Sequence, residues 1–276
     1  MYFEGFLIVL IGLDRKFIFV ANLKVASTSI AEILRPLSEI ALVESRFEKH
    51  LPYWLIEERF NWIFSLIKRE DFFVFGVMRD PVDFVVSLFN SHTDEKFREY
   101  PTLYTGDLDF DGFINEWTKV NSDQIAPQFT RFLTKEGKIG ANYIISYSNL
   151  GEGLDYVASV IDAPALRTLP HANVSNRRIC RNDLSGQHLE WIARALEQDG
   201  QFIEKFCDRM LPNNLVPFEG MALSAPCSSS APGTALKDDE VGRLLPPQPK
   251  RRKLQWRLLS LMAAKINPTH PTSQRV

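Results

Sequence analysis

Cysteine is scarce in this chain. Cys180, Cys207 and Cys227 are odd in number, widely spaced and in no CxxC pair, so neither a disulfide framework nor a zinc site is indicated, and a reducing cytoplasm is the simplest home. Long apolar runs are missing too. The N-terminal run Phe6–Leu13 is about a third of a bilayer span, has no basic stretch ahead of it and meets Asp14, Arg15 and Lys16 at once; it reads as a first strand turning into the next. Overall charge is low, at −2, but unevenly spread. Residues 219–276 hold nine Lys/Arg against four Asp/Glu, leaving 23 basic and 30 acidic residues in 1–218. An acidic body argues against nucleic acid as the partner of the folded part. What the chain does have is apolar mass, 45% hydrophobic and 12% aromatic residues over 276 positions, enough for one sizeable core and an appendage.

The stretch Phe17–Pro36 organises the rest. Phe17, Ile18, Phe19 and Val20 form a continuous apolar run suited to a strand buried on both faces of a parallel sheet. A short loop with Lys24, Val25 and Ala26 follows, then Ser27, Thr28 and Ser29 open a helical pattern through Ile30, Ile33 and Leu34 that stops before Pro36. A helix N-terminus carries unpartnered N–H groups and the positive end of the macrodipole, so a lysine and hydroxyls there make a cradle for a phosphate or sulfate. The plainer alternative is Ser27 as an N-cap and Lys24 as a solvated charge. The nucleotide-triphosphatase pattern GxxxxGK[ST] does not apply. Both glycines are missing, and the lysine precedes the hydroxyls by three residues.

A second stretch has the same order. The run Phe72–Met78 reads as a buried strand and leads directly into Arg79-Asp80-Pro81, an aspartate cap and a proline at the first helical position. Arg79 is thereby placed at a strand end, with Ser87 two turns into the helix, and an arginine fork with a hydroxyl can grip a phosphate. Pairing of Arg79 with a nearby carboxylate and Ser87 as a packing residue is the alternative.

Together these residues resemble a family. K-V-A-S-T-S-I at 24–30 is similar to the 5′-phosphosulfate loop of sulfotransferases that use 3′-phosphoadenosine 5′-phosphosulfate (PAPS), in the bacterial and carbohydrate-modifying branch. Arg79-Asp80-Pro81 with Ser87 resembles the family's 3′-phosphate motif RxPxxRxxS, although its second arginine is Phe84 here. The resemblance covers roughly residues 15–210. It implies an α/β fold, a parallel β-sheet flanked by helices on both faces with a P-loop-like strand-loop-helix, and a nucleotide held by residues 24–29, Arg79 and Ser87. It implies a catalytic histidine between the two motifs, and His50 is the only one in that interval. By the same resemblance Tyr147, in Tyr147-Ser148-Asn149-Leu150, borders the adenine, with Ser148 where the family has an acidic residue; a strand-end tyrosine packed on the core is the other reading. Pro170-His171-Ala172-Asn173-Val174-Ser175 is similar to the late P-H-x-N-x-S segment, whose polar groups, here Asn173 and Ser175, close over the nucleotide; an ordinary capped turn is the alternative.

The implied activity is transfer of a sulfuryl group from PAPS to an acceptor hydroxyl, on a carbohydrate by family resemblance, with His50 as base and Lys24 stabilising the leaving oxygen. No metal and no covalent intermediate are required. The rival class is an inactive nucleotide-binding and interaction module of the same fold, kept open by Phe84 and Ser148. A nucleotide kinase is disfavoured by the missing glycine-rich loop.

The remaining stretches bound the domain. Tyr53, Trp54, Ile56, Phe60, Ile63, Phe64 and Ile67 form an approximate helical stripe covering the sheet. Asp107–Gly112 matches the opening of an EF-hand loop, but position 118 is threonine rather than the needed glutamate, and a capped helix over 110–120 is preferred. The insert 90–127 is the expected place for acceptor recognition. Residues 141–147 read as a strand, with a helix from about Gly153 to Ile161, and 183–210 as one long amphipathic helix with a break at Gly200. The sulfotransferase-like domain is thus expected over 1–215. Residues 216–276 read as a disordered linker and basic tail, in which Lys250–Lys253 precede an amphipathic stretch, Leu254–Ile266, suited to a weak contact with a membrane surface or protein, or to no role at all.

Overall fold

Neither face of the segments Phe17–Val20 and Phe73–Met78 carries a polar side chain, so each can be stable only between two apolar layers. In the computed structural model, which describes residues 9–42, 50–169, 178–212 and 216–217, both are fully buried strands. The chain divides into Met1–Met221 and Ala222–Val276. The linker, the basic run and the stretch Leu254–Ile266 lie outside the described residues.

In chain order the strands are β1 (Val9–Gly12), β2 (Phe17–Val20), β3 (Ile40–Leu42), β4 (Phe73–Met78), β5 (Lys138–Ile139), β6 (Tyr143–Ser146) and β7 (Val216–Pro217). Five of them form one sheet in the order β3-β1-β2-β4-β6, and β5 pairs separately with β7. Only β2, β4 and β6 run parallel. The sheet is therefore mixed, which corrects the expectation of a parallel one. The cause is local. The charged turn after Gly12 places Lys16 at φ 51° and reverses the chain, so β1 pairs antiparallel with β2, and β3 then adds antiparallel to β1.

The helices are α1 (Ser27–Leu34), α2 (Tyr53–Arg59), α3 (Pro81–His92), α4 (Phe110–Gly112), α5 (Thr118–Val120), α6 (Leu150–Val160), α7 (Gly186–Ala195) and α8 (Glu197–Phe206). A π turn, Phe113–Trp117, joins α4 to α5 in one capped segment, with the Asp109 carboxylate accepting from the Gly112 N–H. Alternation along the strands sorts their side chains into two layers. Phe19, Phe75, Val77 and Ile145 meet Ile30 and Leu34 of α1 and Leu154 and Val157 of α6. Ile18, Val20, Val74 and Ile144 meet Ile56 of α2, Phe129 and Phe132 of a 3₁₀ turn, and Phe202 of α8. A third cluster joins Phe84 and Phe89 of α3 to Phe113, Trp117, Ile192 and Leu196. The C-terminal pair differs from the single helix expected. The break falls at Leu196, at φ −125°, because that side chain is buried in the third cluster, while Gly200 lies within α8. Among the described residues no helix is long and apolar enough to cross a membrane.

Gly76, in the middle of β4, leaves space that Phe132 fills. An added Cβ would press into the Phe132 ring and lie 2.6 Å from the Val20 carbonyl. Gly76→Ala is therefore expected to cost about 1–3 kcal/mol through overpacking. Urea unfolding measures this, and an unchanged midpoint would show that the layer is looser than described.

Candidate functional site

The carboxyl ends of the three parallel strands are where an open α/β sheet leaves a crevice, and the two motifs meet there. From β2 the chain turns through Ala21–Ala26 into α1. A two-way hydrogen bond closes this loop. The Ser27 hydroxyl donates to the Asn22 carbonyl at 2.7 Å and accepts from the Asn22 N–H at 3.2 Å. Val25 is fully buried beneath. Closing the turn so tightly puts Lys24 and Ala26 both at φ 59°, in the left-handed region that side chains with a Cβ rarely adopt. Each such residue costs about 1–2 kcal/mol, and strain of this kind is held where the surrounding structure demands it.

The result is a nest. Ala26 in the left-handed conformation followed by the right-handed Ser27 turns successive N–H groups toward one side. The N–H groups of Val25, Ala26, Ser27, Thr28 and Ser29 find no acceptor among the described residues, and no side chain caps α1. Residues 24–29 thus form an anion cradle in shape, with one change to the expected donor set. The Ser27 hydroxyl is committed to Asn22, and Ser29 is buried. Thr28, half-buried, is the hydroxyl left at the mouth, and Val25 contributes only its backbone.

Arg79 arrives from the end of β4. Its Nη1 donates to the Lys24 carbonyl at 3.1 Å, and its guanidinium lies 4.5 Å from the centre of the Tyr147 ring, at the end of β6. Its Nε is buried and has no partner among the described residues. A fork anchored through one nitrogen and stacked on an aromatic face keeps its remaining donors in a fixed direction. The Lys24 backbone, Arg79 and Tyr147 are therefore brought together, and Tyr147 presents a ring face to Arg79.

The other candidates have different surroundings. Ser87 is half-buried on α3 with no hydrogen bond among the described residues. Phe84, where the family pattern has arginine, is fully buried against the π turn and α7, so that position belongs to the core. His50 is buried on the α2 side of the sheet, where its carbonyl accepts from Arg131 and the adjacent Leu51 joins the apolar layer. Ser148 is exposed, and the carboxylate at the end of β6 comes instead from Asp208, which accepts from the Ser146 N–H at 2.8 Å and from Asn149 at 2.7 Å. Asn173 and Ser175 lie outside the described residues.

Three residues of this region were not found by sequence reasoning. Asn22 closes the loop. Gln128 pairs with the Arg79 peptide through both ends of its amide, accepting from the N–H at 3.0 Å and donating to the carbonyl at 2.8 Å. Asp199, fully buried, accepts from the N–H groups of Gln128 at 2.9 Å and Phe129 at 3.0 Å. Asn22 stands directly after a strand and five residues before the serine it binds, a local signal. Gln128 and Asp199 carry none, being joined only in three dimensions.

Burial raises the Asp199 carboxyl from the usual value of 3.8 to about 6, against the opposing pull of the N–H groups it accepts from. Between those values the folded chain keeps a proton that the unfolded chain has lost. This group's contribution therefore favours folding below about pH 4 and is lost as the pH rises through about 6. Urea unfolding from pH 4 to 8 should show wild type losing stability relative to Asp199→Asn across that window and running parallel to it above; a rising difference would contradict the assignment. Compared with known proteins, the chain matches no family model, no curated protein and no solved structure.

Proposed function

We propose that the protein is a PAPS-dependent sulfotransferase acting on an acceptor hydroxyl, with a carbohydrate as the acceptor class. The observation that carries this reading is the meeting of two anion-seeking elements at one sheet edge. The strained nest of residues 24–29 has N–H groups without acceptors among the described residues, and Arg79, with a buried unused Nε, is bonded to the carbonyl of the same loop. A buried charged donor left without a partner is costly unless a ligand supplies one. Two such elements suit a ligand carrying two anionic groups, as a 3′-phosphate and a 5′-phosphosulfate are.

In this reading the N–H groups at the start of α1 and Lys24 hold the 5′ end, and Arg79 holds the 3′-phosphate, with Ser87 assigned to it by resemblance. Transfer proceeds by in-line attack of the acceptor oxygen on sulfur. The new oxygen–sulfur bond forms as the bond to the bridging phosphate oxygen breaks, and the acceptor proton passes to His50. Lys24 and the helix N-terminus stabilise charge on the departing oxygen. Localisation in the cytoplasm belongs to the same proposal, as does a weak membrane or protein contact through the basic tail.

The rival is a nucleotide-binding module without transfer activity. It draws support from Phe84, which is buried where the family motif carries its second arginine. Incubation with labelled PAPS and a panel of glycan, lipid, phenolic and peptide acceptors separates the two. Labelled product is expected; tight nucleotide binding with no product from any acceptor favours the module.

Nucleotide affinities test the assignments. Arg79→Ala should weaken 3′-phosphoadenosine 5′-phosphate by about tenfold more than 5′-AMP, from loss of charged hydrogen bonds worth about 1.5–3 kcal/mol. Some loss for both is expected because Arg79 also braces the Lys24 carbonyl; equal losses would remove the 3′ assignment. His50→Ala should leave nucleotide binding within about threefold of wild type and cut turnover by about a hundredfold or more, whereas Lys24→Ala should harm both. Normal turnover in His50→Ala would place the base elsewhere.

A further inference from the structure

Gln128 is tied to both halves of the site. Its side-chain amide makes the paired bonds to the Arg79 peptide, and its backbone carbonyl accepts, at 3.4 Å, from the side chain of Asn22, the residue that Ser27 clasps to close the loop. Asn22 also donates at 3.4 Å to the Val77 carbonyl, two residues before Arg79. Gln128 is itself fixed from behind. The Asp199 carboxylate, on α8, accepts its N–H and that of Phe129, and lies 3.5 Å from its amide nitrogen. Gln128 and Asn22 are almost wholly buried and Asp199 entirely so.

The bonding pattern has a specific effect. β4 ends at Met78, and beyond that point a backbone would have no neighbour to pair with. Gln128 supplies an acceptor and a donor to Arg79 in the manner of an adjoining strand, extending the rigid part of the chain by one residue. That residue is the one whose guanidinium reaches the Lys24 carbonyl and the Tyr147 ring. Truncating Gln128 would leave the part-buried Arg79 N–H and carbonyl without these bonds, and the arginine would lose its fixed origin.

We infer that Gln128, anchored by Asp199, is a positioning residue that sets Arg79 and the Asn22–Ser29 loop in register, so that a ligand's two anionic groups are bound at a fixed separation. Neither residue touches the ligand. The inference rests on the proposed nucleotide site for its consequence in binding, but not for its effect on Arg79.

The test uses the full chain and two readouts. The first needs no ligand. The buried Arg79 Nε–H, identified by its disappearance in Arg79→Lys, should exchange slowly with solvent in ¹⁵N spectra of wild type. Gln128→Met, which keeps side-chain bulk and the backbone carbonyl while deleting the amide, should accelerate that exchange by about tenfold or more, as loss of a buried hydrogen-bonded pair implies. The second readout is the preference for 3′-phosphoadenosine 5′-phosphate over 5′-AMP, expected to fall by about tenfold in Gln128→Met. Asp199→Asn, which removes one of the two acceptor oxygens, should move both readouts in the same direction by less, and stands in if Gln128→Met does not fold. Gly76→Ala is the control for general softening. Wild-type exchange and preference in a folded Gln128→Met, or equal changes in Gly76→Ala at matched loss of stability, would overturn the inference. If wild type shows no preference for the 3′-phosphorylated nucleotide, the sulfotransferase reading fails, and the Nε–H exchange alone decides the role of Gln128.

Discussion

One hydroxyl closes the loop on which the candidate site depends. Ser27 both gives a hydrogen bond to the Asn22 carbonyl and takes one from the Asn22 N–H, so the chain leaving β2 must turn within five residues and enter α1 at a set angle. The left-handed conformations of Lys24 and Ala26, the burial of Val25 and the N–H groups left without acceptors among the described residues all follow from that closure. A serine whose type and place suggest a ligand for an anion spends its hydroxyl on closing the loop. Its neighbour Thr28 keeps the exposure needed for contact.

The second half of the site is held by partners distant in sequence. Arg79 receives its orientation from Gln128, Lys24 and Tyr147, and Asp80 behind it caps α3 while pairing with Arg181 at 3.1 Å. The acidic side chains beside the arginine are thus turned away from it, toward the helix N-terminus and another cation. Had Asp80 or Asp83 paired with Arg79, the plain reading of RDP as an internal ion pair would hold, and the guanidinium would have little left to offer.

What could be read from the chain, and what could not, divides by range. Continuous apolar runs marked β2, β4 and β6, and the caps Asp80 and Asp109 marked their helices, because those signals act within a few residues. The antiparallel edge was not read although its turn was noted, since an apolar run such as Phe17–Val20 marks a buried strand whichever way its neighbours run. The break falls at Leu196 rather than Gly200 because a buried leucine outweighed a permissive glycine. At the site, Arg79 was legible as a residue at a strand end and Lys24 as part of the loop between strand and helix, while Tyr147 was assigned by resemblance. The support from Gln128 and Asp199 was not legible, because hydrogen bonds spanning 49 and 71 positions leave no mark on local pattern; the Ser27–Asn22 clasp spans only five residues, but a serine opening a helix reads first as a cap. His50 was assigned by its order between two motifs and by no local signal of its own.

The absence of glycine from the loop has a consequence for how tightly it holds a guest. Glycine-rich phosphate loops reach left-handed conformations at little energetic cost, but they are free to leave them, and ordering them on binding lowers affinity. Here alanine and lysine are forced into that conformation by the clasp and by buried Val25. The chain has accepted that strain in its folded state, so in the proposed role the loop would meet an anion already shaped. A loop of that kind would bind with a small entropic loss and adapt poorly, selecting by fit to one geometry where a looser loop would mould itself to several.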